Sequence, residues 1–174
     1  MAFQVLSEYD LEEFMCQSWG SSIEELVENG LKLTKPSRDR IVVKVPVSTL
    51  GVKAATQLIR SGCRVCLTAC YHHKQALIAA SIGAEYIAPY LGRMTDIGKD
   101  GVTECVDMQE ITDGLGSDTR ILVASIREAQ TLAQLAEAGL ETFTFSSDVA
   151  RELFHEPLTD EAAAVFEKAA RENR

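Results

Sequence analysis

Lys44 stands in the run Ile41-Val42-Val43-Lys44-Val45, a charged amine among β-branched side chains that read as a buried strand. An ionised amine held there without a partner costs several kcal/mol. Pro46 cannot donate to a sheet ladder, which ends the strand and places Lys44 at the C-terminal mouth of a parallel sheet, where such folds do their chemistry. Two readings are open. An amine taken out of water sheds its proton and adds to a carbonyl as a Schiff base, or a strand-end lysine simply reaches back to solvent. Tyr90 follows Ile87-Ala88-Pro89, where a phenol can donate a proton or orient a water; Thr68 ends another apolar run, and Gln4 stands between Phe3 and Val5. Each of these polar groups also fits as a satisfied core residue.

Arg93, Ser125 and Arg127 each follow an apolar strand, so all three fall at the same mouth. Ser125 and Arg127 directly precede a helix, whose first amides and positive dipole end favour an anion. They read either as a phosphate site or as a helix cap with two surface arginines. Cys63, Cys66, Cys70, His72 and His73 offer a competing constellation with metal-ligand spacing. On a strand through Ala69, Cys66 points away from Val65 and Leu67 while Cys63 has the other parity, so convergence on zinc would need the strand to break. No metal site is therefore expected, and His72 and His73 are expected to open the following helix.

The elements that must position these residues alternate strand and helix about six times, at the ~25 to 30 residue period of barrels and doubly wound sheets. The predicted strands are Phe3 to Leu6, Ile41 to Val45, Val65 to Ala69, Tyr86 to Ala88, Arg120 to Ala124 and Thr142 to Phe145. Leu11, Phe14, Met15, Ile23 and Leu26 read as the first helical face. Ser48 is a predicted cap, Gly62, Gly83 and Gly139 are predicted stops, and Leu91 to Gly101 reads as a long loop before a helix over 106–115. A last helix at about 159–173, with Ala163, Val165, Phe166 and Ala169 on its apolar side, has no strand to serve, and docking or subunit contact is its expected role.

No Pro-, Gly- or Ser-rich linker divides the 174 residues, and 46% hydrophobic content is enough for one core, so a single domain is expected. The net charge of −9 excludes a surface of dense nucleic-acid phosphate contacts and leaves any anion to a local basic cluster. No run approaches the ~20 apolar residues of a membrane span. The start lacks the basic leader of a signal peptide, and the odd cysteine count at irregular spacing implies reduced thiols, so a cytoplasmic protein without nucleic-acid or membrane partners is expected. No dinucleotide or P-loop glycine fingerprint occurs.

Four linked motifs carry a resemblance: Ile41-Val42-Val43-Lys44-Val45-Pro46-Val47, Thr68-Ala69-Cys70-Tyr71, Gly83-Ala84-Glu85-Tyr86-Ile87-Ala88-Pro89-Tyr90-Leu91-Gly92-Arg93 and Ala124-Ser125-Ile126-Arg127. In order and spacing the chain resembles the small transaldolase and fructose-6-phosphate aldolase family of carbohydrate metabolism. The resemblance implies an α/β fold, a parallel (βα) barrel of TIM type, and class I aldolase chemistry on a ketose phosphate such as fructose 6-phosphate without cofactor or metal. It also implies a homo-oligomeric ring of five or ten subunits. Lys44 would form the Schiff base, Tyr90, Thr68 and Gln4 would position the water that moves protons, and Arg93, Ser125 and Arg127 would hold the substrate phosphate. Gln4 and Tyr90 take the form of the aldolase branch, whereas Leu91-Gly92-Arg93, Asp96-Ile97-Gly98 and Arg127 look more like transaldolases. Phe3-Gln4-Val5 aligns with the third strand of the family barrel, so the expected fold is incomplete: about six units matching strands three to eight, without an Asp and an Asn of the first two. A start later than the true one at Met1, a partner chain completing the barrel, or an inactive member with a structural or regulatory role would each account for this. Zinc binding through the Cys/His cluster is a further alternative.

Overall fold

The computed structural model describes residues 2–172. Six strands form one sheet in chain order: β1 (Phe14–Gln17), β2 (Ile41–Pro46), β3 (Arg64–Cys70), β4 (Tyr86–Pro89), β5 (Arg120–Ile126) and β6 (Thr142–Phe145). All neighbouring pairs are parallel. A parallel ladder needs a crossover between strands, and here helices supply it: α2 (Ile23–Thr34), α3 (Thr49–Arg60), α4 (Lys74–Ile82), the pair α5 (Leu91–Asp96) and α6 (Gly101–Gly114), and α7 (Ala129–Glu137). The sheet curls into a half-barrel, an incomplete α/β barrel of TIM type, with β1 and β6 as its edges. A short α1 (Ala2–Glu8) precedes it, and α8 (Ser147–Phe154) and α9 (Pro157–Glu172) follow.

Strand parity divides the core. Val43, Val45, Val65, Leu67, Ile87, Ile121 and Val123 point outward and are buried beneath Ala54, Ala55 and Leu58 of α3, Ala76 and Ala79 of α4, and Cys105 and Met108 of α6. The alternate residues Val42, Cys66, Tyr86, Ala88 and Leu122 form a smaller cluster on the concave side, against Met15. Ser22, Ser48, Asp100 and Ser146 each accept a backbone N–H three residues on, capping α2, α3, α6 and α8. Gly83 ends α4 in the left-handed region at φ 70°.

Gly51 is required by close approach. A Cβ built there would lie 2.0 Å from the Pro46 carbonyl oxygen, because the first turn of α3 folds straight back onto the end of β2. Gly51→Ala must therefore move α3 off the strand that carries Lys44, and a loss of about 1–3 kcal/mol in urea unfolding is expected. An unchanged midpoint would show that the helix start slides freely.

Expectations in two regions are corrected. Phe3 to Leu6 lies in α1, not in a strand, and Phe14 and Met15, expected on a helical face, form β1 instead. The segment from Leu91 to Gly101 contains α5, and the helix expected to begin at 106 starts at Gly101, where Asp100 caps it. The C-terminal helix expected at about 159–173 is present as Pro157–Glu172, with no buried residue; Met1 and residue 173 lie outside the described residues.

Candidate active site

Register brings the inward-facing polar residues together. Gln17 pairs with Lys44, Lys44 with Cys66, and Pro46 with Thr68, while Tyr90 bridges Ala124 just beyond β4. Side chains at alternate positions share a face, so the parity that buries Val42 inside the curl also directs Lys44 there, one step nearer the mouth. Lys44 is half-buried and stands close enough to Cys66 for its charge to act on that thiol. Thr68 is 2% exposed, and its hydroxyl lies 2.8 Å from the Tyr90 hydroxyl. Tyr71 packs edge-on against Tyr90, with ring centroids 5.6 Å apart.

Two strands break regularity at the mouth. The β3–β4 register shifts between Leu67 and Cys70, and the β5–β6 register shifts between Val123 and Ile126. Within these irregularities Ala69 and Ser125 adopt left-handed φ of 56° and 62°. Such a conformation costs a non-glycine residue about 1–2 kcal/mol and turns the next side chains off the strand's alternation. Gly92 permits the neighbouring approach: a Cβ on it would meet the Ser125 carbonyl oxygen at 2.4 Å and its Oγ at 3.1 Å.

Arg93 and Arg127 lie close enough for their charges to interact. The Arg93 guanidinium lies over the Tyr90 ring at 4.9 Å. Arg127 is engaged by Asp96 in a fork of two bonds, 2.6 and 2.5 Å, and this hydrogen bonding holds the exposed Asp96 carboxyl below its ordinary range. The first amide of α7, Ala129 N–H, donates to a Glu152 carboxylate oxygen at 3.0 Å. Arg127 and the first amide of α7, two of the groups expected to meet an anion, thus carry protein carboxylates. A cleft of about 180 Å³ lies alongside, lined by Leu91, Gly92, Thr95, Arg127, Glu128 and Thr131.

Gln4 does not join this group: it is exposed on α1. Gln17 occupies the place beside Lys44, and its side-chain amide donates to the Lys44 carbonyl oxygen at 2.9 Å and to the Ser18 carbonyl oxygen at 2.8 Å. Its signal was the period itself, since Gln17 lies 27 residues before Lys44 and Thr68 lies 22 before Tyr90.

The cysteines part from the histidines. Cys63 packs on the helix side beside Thr34 Oγ1 at 3.9 Å, Cys66 lies in the concave cluster, and Cys70 faces Met108. Burial pushes the Cys66 thiol up to about 12 and the Cys70 thiol up to about 11, and no cysteine joins His72 and His73 in a group of three metal-binding side chains among the described residues. The five-ligand zinc cluster is therefore set aside.

The curled parallel sheet with its intervening helices is an incomplete α/β barrel, and the wider comparison agrees at the level of fold. A mutant flavocytochrome b2 with pyruvate bound superposes with a TM-score of 0.64 at 11% identity, covering 83% of this chain and 45% of that one. A GMP reductase variant from Trypanosoma brucei gives 0.61 at 12% identity, covering 78% and 32%. In sequence, the family described as Transaldolase/Fructose-6-phosphate aldolase matches residues 17–173, and the chain belongs to it. Proteins named "Probable transaldolase" are 37% identical over 141 residues in Leptospira biflexa and 34% over 143 in Methanococcus maripaludis, covering 81% and 82% of this chain. The chain spans 65% and 66% of those relatives' lengths. The family match begins at Gln17, the residue that pairs with Lys44. No helix among the described residues is long and apolar enough to cross a membrane.

Proposed function

We propose that this chain carries Schiff-base aldolase chemistry on a ketose phosphate such as fructose 6-phosphate, cleaving off or transferring a dihydroxyacetone unit. The observation that carries the reading is the convergence of Lys44, Thr68 and Tyr90 on the concave mouth of a transaldolase-family sheet. The Lys44 amine attacks the C2 carbonyl, water leaves, and the resulting iminium draws electrons from the C3–C4 bond. Loss of the C4 hydroxyl proton lets that bond break, releasing an aldehyde and leaving an enamine on Lys44. Hydrolysis then completes an aldolase cycle, while addition to a second aldehyde completes a transaldolase cycle.

The Thr68–Tyr90 hydroxyl pair holds the water that moves these protons, and Gln17 takes the place first read at Gln4. Arg93, Ser125 and Arg127 bind the phosphate as Asp96 yields Arg127 to it. With glutamine and tyrosine at these two positions, the aldolase branch is favoured. No cofactor or metal enters the cycle. The exposed Leu158, Val165 and Phe166 of α9 support assembly with further copies, and free cysteines fit a reducing cytoplasm.

Incubation with fructose 6-phosphate or dihydroxyacetone, borohydride reduction and peptide mass mapping test the reading. A single reduced adduct on Lys44 is expected. No adduct, or one on another lysine, would overturn it and leave a non-catalytic structural member of the family.

A further inference from the structure

The turn from β3 into α4 gathers groups that the aldolase chemistry does not use. His72 and His73 stand at the start of α4, and Glu104 and Asp107 reach them from α6. Among the described residues, His72, His73 and Glu104 place one metal-binding atom each within 4.8 Å of one another. We propose that His72, His73 and Glu104, with Asp107 at the rim, form a binding site for a divalent transition-metal ion of the zinc class.

The separations fit such an ion. Glu104 Oε2 lies 3.0 Å from His73 Nδ1 and 3.8 Å from His72 Nδ1, and Asp107 Oδ2 lies 3.4 Å from His73 Nδ1. Zinc bonds of ~2.0–2.2 Å in a tetrahedron set neighbouring ligand atoms about 3.3–3.6 Å apart. Small side-chain rotations close the difference. Two imidazoles with carboxylate oxygens select zinc, cobalt, nickel or copper over magnesium and calcium, which take all-oxygen sites.

The frame is built before any ion arrives. The His73 backbone N–H donates to Glu104 Oε2 at 2.6 Å, and the Tyr71 and His72 amides donate to Gln75 Oε1 at 2.9 and 3.2 Å, fixing the turn. Lys99 sits on the other Glu104 carboxylate oxygen, 3.6 Å from Oε1, and donates to the Tyr71 carbonyl oxygen at 2.8 Å. Oε2 is thereby turned toward the imidazoles. His72 Nδ1 also accepts the Lys74 amide at 3.3 Å, a long bond that an ion would replace. Both imidazoles are a little over one-third exposed, leaving positions for water on the solvent side.

The chelator-stripped chain titrated with zinc chloride in a calorimeter, with metal content measured after desalting, tests the site. One equivalent is expected. His72→Gln and His73→Gln, conservative changes at half-exposed positions, are expected to weaken binding at least ~10-fold each. His155→Gln, at a histidine paired with Asp160 on α9's side of the molecule, is expected to leave it unchanged. With cobalt, visible d–d bands without a thiolate charge-transfer band are expected. No stoichiometric binding, binding indifferent to His72→Gln and His73→Gln, or a thiolate band would overturn the proposal. Borohydride trapping at Lys44 is independent of every one of these readouts.

Discussion

Lys44→Met is expected to abolish cleavage of fructose 6-phosphate, by at least ~10³-fold in kcat/KM, while leaving the thermal unfolding midpoint unchanged or raised. The methionine stem is close to the lysine's in length and keeps the packing beside Cys66 in the concave cluster. It removes the atom to which the proposed function assigns the covalent intermediate. The retro-aldol step needs an electron sink at C2, and without an iminium the carbonyl must accept the pair unaided, so most of the chemical acceleration goes with the amine. The charge is also a liability to the fold: a half-buried amine on the concave face beside Cys66 loses hydration, which a thioether does not require. Lost activity with stability kept or raised would identify Lys44 as a residue kept for chemistry. A coupled assay for the released aldehyde phosphate and a calorimetric melt, both run against the unsubstituted chain, supply the comparison. Retained cleavage, or a midpoint lowered enough to explain the loss by unfolding, would remove Lys44 from its role.

What could be read in advance follows from how each element is stabilised. The β2, β3 and β5 strands are buried on both faces, and continuous Val/Ile/Leu runs state that directly. The mouth residues were legible for the same reason, because a lysine or threonine at the end of such a run has nowhere else to face. β1 was misread because it is a four-residue edge strand, partly exposed and with only Phe14 and Met15 as its apolar pair, whereas Phe3 to Leu6 shows a stronger alternation. That second segment is a helix whose buried Leu6 carries the contact. The left-handed turns at Ala69 and Ser125 left no mark in composition, since neither residue type is selected for that conformation. Nor could the pairing of Arg127 with Asp96 be foreseen, because the helix α5 that delivers Asp96 lies within what reads as a glycine-bearing loop.

At the opposite end of the strands, Arg64→Ala is expected to cost about 2–4 kcal/mol at neutral pH. Arg64 sits inside the curl on β3, donates to Glu13, Glu85 and the Asp39 carbonyl oxygen, and ties β1, β3 and β4 together. Glu85 is shared with Arg120, whose guanidinium lies 4.0 Å over the Tyr86 ring, and the Tyr86 hydroxyl donates to Glu13 at 3.0 Å. The partners are only about a quarter exposed, so deleting the central cation strands two carboxylates in poor solvent; full burial would cost ~3–5 kcal/mol and the residual exposure lowers that figure. The pH dependence has a definite sign. The Arg64 hydrogen bond outweighs burial and holds the Glu85 carboxyl below its ordinary 4.5. The stability it contributes is therefore complete above that value and lost as pH falls through the lower folded one. Burial and the Glu13 hydrogen bond push the Tyr86 phenol up to about 12, so its contribution is complete below 10 and disappears as pH rises toward 12. Urea midpoints measured from pH 3 to pH 7 should fall steeply toward acid in the unsubstituted chain and much less in Arg64→Ala. Parallel curves would show that the network adds nothing to the fold, and that apolar contacts alone hold the half-barrel curled.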